Sequence, residues 1–163
     1  MEQCTGTFGA DHPRTLDARQ LLAYWKGEYG DVAGAVRELT AVLAHARRVM
    51  GSNDPLTLVT RQHLTYWQGK DGDRSAAVVT AAEILRDFVR VLGPDDQATL
   101  MARSILVFWQ GKAGNAASAA VTARAVLRDY ERVFGPQHPR TRGAREDLAY
   151  WQLQAGRRHQ ISG

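Results

Sequence analysis

The fold is decided by the stretch GSNDPLTLVTRQHLTYWQGKDGD, which spans residues 51–73. Asp54-Pro55 predicts a helix start, because aspartate caps a first turn well and proline is tolerated at the first helical position. No helix breaker follows until the glycines of segment 69–72, and Asp73 can then cap a second helix. The stretch therefore predicts two helices joined by a short turn.

The apolar residues of the second helix support this prediction. We expect helices over about 56–70 and 74–92, with Gly93-Pro94 ending the second. Steps of three and four place its apolar side chains on one face. These side chains are Ala77, Val78, Ala81, Ile84, Leu85, Phe88 and Val91. No segment alternates apolar and polar residues with a period of two, so we expect no β-sheet.

The same pattern recurs along the chain at intervals of 42 residues. Its most specific markers are the four tryptophans Trp25, Trp67, Trp109 and Trp151. Other residue types keep the same interval: Gly9, Gly51, Gly93, Gly135; Thr15, Thr57, Thr99, Thr141; Arg19, Arg61, Arg103, Arg145; Leu22, Leu64, Leu106, Leu148; Gly30, Gly72, Gly114, Gly156. Single helical hairpins of this size cannot bury their apolar faces alone, so stacked hairpins are expected, as in a solenoid.

The overall composition is that of a globular chain. Of 163 residues, 44% are apolar and 23% are charged, which fits one domain or a short repeat array. The lone Cys4 excludes an internal disulfide and fits a reducing compartment, and no secretory signal or membrane span is recognised. We therefore expect a cytoplasmic protein without membrane contact. The net charge of +4 is too small to favour nucleic acid as a partner.

A longer motif identifies the kind of repeat. Gly-x-x-x-Pro-x-Thr-Leu-x-x-Arg-x-x-Leu occurs at 9–22 and 51–64, and departs in the later units where Gln97 replaces the proline and Arg142 the leucine. This pattern resembles the 42-residue tetratricopeptide repeats found in kinesin light chains and in many actinobacterial proteins. The family's turn glycine corresponds to Gly30, Gly72, Gly114 and Gly156.

The resemblance implies a fold and a domain organisation. We expect an all-α, right-handed α-solenoid of about seven helices, or 3.5 helical hairpins, with the last helix over about 140–154. The repeat domain spans residues 9–156, with tails at 1–8 and 157–163. Its units are 9–50, 51–92, 93–134 and 135–156.

The resemblance also places the first helix of each hairpin along a concave groove. The groove positions form four ladders, which are Tyr24, Tyr66, Phe108, Tyr150; Leu21, His63, Ile105, Asp147; Gln20, Gln62, Ser104, Glu146; and Asp17, Val59, Met101, Gly143. Family members often carry asparagine in the second ladder to hold a peptide backbone, and this sequence has none there. The aromatic ladder instead favours an apolar or aromatic ligand, or an amphipathic helix.

Three functions follow from this groove and from the ends of the array. The favoured one is a binding or scaffold module for a protein, a peptide or a hydrophobic small molecule, without cofactor or metal. The second is a small enzyme that orients a hydrophobic metabolite for acid/base-assisted cyclisation or rearrangement through His63, Tyr66 and Glu146. The third is self-assembly as a homodimer through the N-terminal helical face, because no polar cap precedes the first helix.

Several recurring residues have structural interpretations. The tryptophans are expected to pack between neighbouring helices, and the four arginines to tie one helix to the next. His12 and His138 precede prolines at helix starts, so capping is favoured for both over catalysis.

Overall fold

The computed structural model describes residues 9–161 of the protein. The elements found in that range are seven α-helices: α1 Pro13–Glu28, α2 Val32–Met50, α3 Pro55–Asp71, α4 Arg74–Leu92, α5 Gln97–Lys112, α6 Ala116–Phe134 and α7 Pro139–Ile161. The described range contains no strand, as expected. The two helices predicted from the opening stretch are α3 and α4, although Gly69 lies inside α3 rather than in the turn. The segments 1–8 and 162–163, parts of the two predicted tails, lie outside the described residues.

Aspartate side chains cap the first helices of the second and third repeats, which are α3 and α5. The Leu56 backbone N–H donates to Asp54 Oδ1 over 2.9 Å, and the Ala98 N–H donates to Asp96 Oδ1 over 2.8 Å. Because the cap satisfies a free N–H of the first turn, α5 begins normally at Gln97 although the motif's proline is missing there.

Histidines cap the first helices of the first and fourth repeats, which are α1 and α7. His12 Nδ1 accepts from the Arg14 N–H, and His138 Nδ1 accepts from the Arg140 N–H, each over 3.2 Å. The capping role expected for both histidines is therefore confirmed.

The turn between the two helices of a hairpin depends on a glycine followed by a capping residue. Gly30, Gly72 and Gly114 have positive φ, and the residues after them are two aspartates and an asparagine. Gly156 was expected to form the fourth such turn, and this expectation is wrong. Its successor is Arg157, which cannot accept from a backbone N–H, and α7 continues to Ile161 instead of ending near 154.

The helices pack into two compact units, Met1–Asp73 and Arg74–Gly163. In the first unit, α2 packs against α1 and α3, and the core contains Ala23, Ala35, Leu39, Leu43, Leu64 and Trp67. In the second unit, α5 packs against α4 and α6, and α6 against α7. The core of that unit contains Leu100, Val107, Ala116, Ala119, Ala123, Val126, Tyr130, Ala144 and Trp151.

Within each unit, a tryptophan of one first helix packs on a glycine of the preceding first helix. Trp67 covers Gly27, and Trp151 covers Gly111, so closely that a Cβ atom at either glycine would overlap the indole ring. We call Gly27 and Gly111 the glycine seats. At the 42-residue interval, the equivalent position is Gly69 in the second repeat and Leu153 in the fourth.

The predicted packing of the tryptophans holds for three of the four. Trp67, Trp109 and Trp151 are at most 9% exposed, whereas Trp25 is 51% exposed. Trp25 and Leu22 lie on α1, and Tyr29 directly follows its last residue; Leu22 and Tyr29 are 37% and 89% exposed. We call these three residues the N-terminal face.

The repeated arginines tie first helices to second helices. Arg19 of α1 reaches Glu38 of α2 over 2.9 Å, and Arg145 of α7 reaches Glu131 of α6 over 3.0 Å. Arg103 of α5 forms an ion pair with Asp129 of α6. These pairs confirm the predicted structural role for three of the four arginines, Arg19, Arg103 and Arg145.

The glycine seats generate a stability prediction. Gly111→Ala should destabilise the chain by about 1–3 kcal/mol, because overpacking against Trp151 outweighs alanine's helix-propensity advantage of roughly 1 kcal/mol. Gly143→Ala is the matched control, since Gly143 is also helical and a Cβ there meets nothing within 4 Å. The control should gain about 0.5–1 kcal/mol. Urea unfolding of both variants measures this, and equal effects would contradict the seat.

Candidate functional site

The aromatic ladder of the first unit is a packed cluster. The Tyr24 ring lies 4.9 Å from the His63 ring and 6.1 Å from the Tyr66 ring, measured between centroids. Burial, with a smaller contribution from Glu28, raises the pKa of Tyr24 to about 12. The hydroxyl group of Tyr24 therefore stays protonated at neutral pH, and the rings use much of their surface on one another.

An ion pair lies beside this cluster. Lys70 Nζ is 4.0 Å from Glu28 Oε1 and 4.7 Å from the centroid of the Tyr66 ring. Glu28 belongs to α1 and Lys70 to α3, so the pair links two successive first helices and leaves their charges largely neutralised.

Two predicted groove residues of the first unit are buried. Gln20 and Gln62 are 5% and 7% exposed. Thr60 Oγ1 of α3 donates to Gln20 Oε1 over 2.7 Å, and Gln20 Nε2 donates to Asp17 over 2.9 Å. Gln20 therefore joins α1 to α3 and offers little surface to a ligand. Leu21, from the neighbouring ladder, is 53% exposed.

The second unit opens a cleft between α5 and α7. Its cavity volume is about 240 Å³, and its lining consists of Ser104, Val107, Phe108, Lys112, Asp147, Tyr150 and Trp151. The structure thus brings Phe108 and Tyr150 of the predicted aromatic ladder together. The predicted groove residues Met101 and Ile105 are exposed and half-buried, but neither lines this cleft.

The cleft carries one group of each charge. Lys112 Nζ lies 5.5 Å from the centroid of the Phe108 ring. Burial raises the pKa of Asp147, and the neighbouring Glu146 adds to this effect. Within the part of the chain that the structure describes, neither Lys112 nor Asp147 has an ion-pair partner.

Sequence reasoning missed Lys112 and Trp151 as cleft residues. A usable signal for Lys112 was present, because a lysine follows the ladder aromatic by four positions both in Tyr66/Lys70 and in Phe108/Lys112. Residues four apart share a helix face, so each ammonium lies over its own aromatic ring. No comparable signal existed for Trp151, whose lining role depends on the space left beside its ring.

The residues of the enzyme alternative are divided between the units. His63 and Tyr66 lie on α3 in the first unit, and Glu146 lies on α7 in the second. Burial lowers the pKa of His63 to about 4, so the ring is neutral at pH 7, and among the described residues its Nδ1 has no hydrogen-bond partner. A general base needs an orienting partner, and the described residues supply no hydrogen bond at the Nδ1 of His63.

Comparisons with known proteins agree with this geometry. Residues 99–140 match the family described as Tetratricopeptide repeat. The TPR-like repeats of a Podosopora anserina protein assigned as a kinesin light chain superpose with a TM-score of 0.74 and 20% identity, over 99% of this chain and 76% of that one. A second crystal structure of these repeats, from a variant with one substitution, gives a TM-score of 0.76 with the same identity and coverage. No curated protein matches the chain.

These matches show an all-α solenoid of tetratricopeptide-like repeats as the fold class, as the sequence predicts. The match to the tetratricopeptide repeat family covers residues 99–140, and the resemblance to kinesin-light-chain-like repeats agrees with the structural neighbours at the level of the fold. A fold of this class supports a binding or scaffold role. None of the helices within the described residues is long and apolar enough to cross a membrane.

Burial of His63 generates a prediction about pH. Because burial lowers its pKa from 6.5 to about 4, folding favours the neutral ring. The associated stability is fully present above pH 6.5 and is lost as the pH falls toward 4, by roughly 2–3 kcal/mol in total. His63→Leu should remove that pH dependence. Leucine is the residue at the equivalent position of the first repeat, Leu21.

Urea unfolding of the wild type and of His63→Leu at pH 7, 6, 5 and 4 measures the effect. The two proteins differ only at residue 63, so the difference between their stabilities at each pH isolates His63. A stability difference that stays constant from pH 7 to pH 4 would contradict the assignment.

Proposed function

We propose that the protein is a binding module that holds a polypeptide partner by a bulky apolar side chain inserted between α5 and α7. The observation that carries this proposal is the 240 Å³ cleft with Phe108 and Tyr150 in its lining. Tyr150 is 52% exposed, so an incoming apolar side chain can remove its ring from water.

The size of the cleft favours part of a polypeptide over a whole metabolite. Pockets that enclose small-molecule ligands typically measure about 300–1,000 Å³. A cleft of about 240 Å³ is smaller than that range. Burying one large apolar side chain contributes about 1.5–3 kcal/mol, so useful affinity needs further contacts along the partner.

The cleft is tested with a synthetic helical peptide that has one central phenylalanine in an alanine and glutamine background. It should bind the wild type at least fivefold more tightly than the same peptide with alanine at the centre. Tyr150→Ala should lose most of that advantage, because it removes an exposed ring of the cleft without opening the core. The chemical shift of the Trp151 indole N–H reports binding.

Val121→Ala is the matched control, since Val121 of α6 is an exposed apolar residue that belongs neither to the cleft lining nor to the N-terminal face. It should bind the phenylalanine peptide like the wild type. Circular dichroism of both variants should show unchanged helicity. Equal binding of the phenylalanine and alanine peptides to the wild type would refute the proposal.

The N-terminal face favours a second function, self-association of two copies. The equivalent tryptophans of the later repeats, Trp67, Trp109 and Trp151, are at most 9% exposed, whereas Trp25 is 51% exposed. The opposite end of the array cannot receive Trp25 as Gly27 receives Trp67, because Leu153 stands at the glycine position. The association we propose is therefore symmetric, with the same face contributed by both copies.

Light scattering over a dilution series tests this association. The wild type should show a mass that falls from dimer to monomer on dilution, and Trp25→Gln should be monomeric at every concentration. Leu153→Gln removes an equally exposed apolar side chain from α7 and should leave the dimer intact. A wild type that is monomeric throughout, or a dimer that survives Trp25→Gln, would exclude this face.

A further inference from the structure

The two charged groups lie at opposite ends of the cleft. Each helix of the second unit is joined to the next by a short turn, so α5 and α7 are both antiparallel to α6 and run in the same direction. Asp147 stands at the repeat position of Ile105, and Lys112 follows Ile105 by seven residues. At 1.5 Å per residue, Asp147 and Lys112 are offset by about 10 Å along the helix axis.

The aromatic walls lie between these charges. Phe108 precedes Lys112 by four residues on α5, and Tyr150 follows Asp147 by three residues on α7. The cleft therefore has an acidic end, where Glu146 adds to Asp147, an aromatic middle and a basic end.

Among the residues that the structure describes, neither charged end of the cleft has an ion-pair partner. In the first compact unit, Glu28 of α1 stands at the position equivalent to Lys112 of α5. Glu28 forms an ion pair with Lys70 of α3. The corresponding pair in the second unit is Lys112 and Gln154, and glutamine carries no charge. Both charges thus remain available to a ligand.

We infer that the cleft selects a helical partner segment whose bulky apolar side chain is flanked by one basic and one acidic residue seven positions apart. The basic residue would lie at Asp147, the apolar one between Phe108 and Tyr150, and the acidic one at Lys112. This inference rests on the proposed function of the same cleft. Seven residues of helix span about 10 Å, which matches the offset of the two charges. A free aromatic amino acid carries both charges on one carbon and cannot reach both ends.

Four synthetic helical peptides with the same central phenylalanine test the inference. Their flanking residues, seven positions apart, are Lys and Glu, Lys and Lys, Glu and Glu, or Gln and Gln. The Lys/Glu peptide should bind the full-length wild type about three- to tenfold more tightly than each of the others, since two partly exposed ion pairs form together. The advantage should shrink as salt is raised. N-acetylphenylalaninamide serves as the small-molecule probe and should bind more weakly than every peptide.

Two variants assign the selectivity to its ends. Asp147→Asn should bring the Lys/Glu and Glu/Glu peptides to similar affinity, and Lys112→Gln should do the same for Lys/Glu and Lys/Lys. Arg124→Gln removes an exposed positive charge from α6, outside the cleft lining, and should keep the wild-type order of affinities.

The outcomes separate this inference from the function on which it rests. If all four peptides bind equally and Tyr150→Ala still weakens them, the charge selection is wrong and the apolar cleft stands. If no peptide binds in a phenylalanine-dependent way, both fail. Binding of N-acetylphenylalaninamide as tight as that of the Lys/Glu peptide would overturn the choice of a helical partner in favour of a small molecule.

Discussion

The contact of a tryptophan with a glycine of the preceding first helix is the constraint on which each unit depends. The indole ring occupies the place of a Cβ atom, so the helix axes can approach closely and the ring still becomes buried. The residue before each of these tryptophans is the ladder aromatic, as in Tyr66-Trp67 and Tyr150-Trp151. Anchoring the indole therefore fixes the direction of the neighbouring ring, and with it the aromatic surface offered to a ligand.

The two units use this aromatic surface differently. In the first, His63 contacts Tyr24, and Glu28 neutralises Lys70, so ring contacts and an ion pair satisfy much of the cluster internally. In the second, Asp147 stands at the position equivalent to His63, and none of the described residues forms an ion pair with Asp147 or Lys112. One sequence pattern thus supports a consolidated cluster and an open cleft, and the differences lie in a few side chains at equivalent positions.

Much of the fold could be predicted from the sequence, because its determinants are local. Caps such as Asp54, turn glycines such as Gly30, and the 42-residue interval of the tryptophans each act over a few residues or within one hairpin. The end of α7 was predicted wrongly because Gly156 alone does not make a turn. A turn also needs a residue that caps the next helix, and Arg157 follows Gly156 instead. The site was harder, since the burial of Gln20 and the opening beside Trp151 depend on which side chains face them from another helix.

Leu153 bears on how an array of this kind can change its number of repeats. A duplicated hairpin inserted between existing ones would carry its own glycine and could receive the next tryptophan. A hairpin added directly after α7 would present its tryptophan to Leu153, which is 55% exposed and occupies the space a ring would need. Growth by tandem duplication is therefore compatible with the interior of the array, whereas growth beyond α7 requires the loss of that one side chain first.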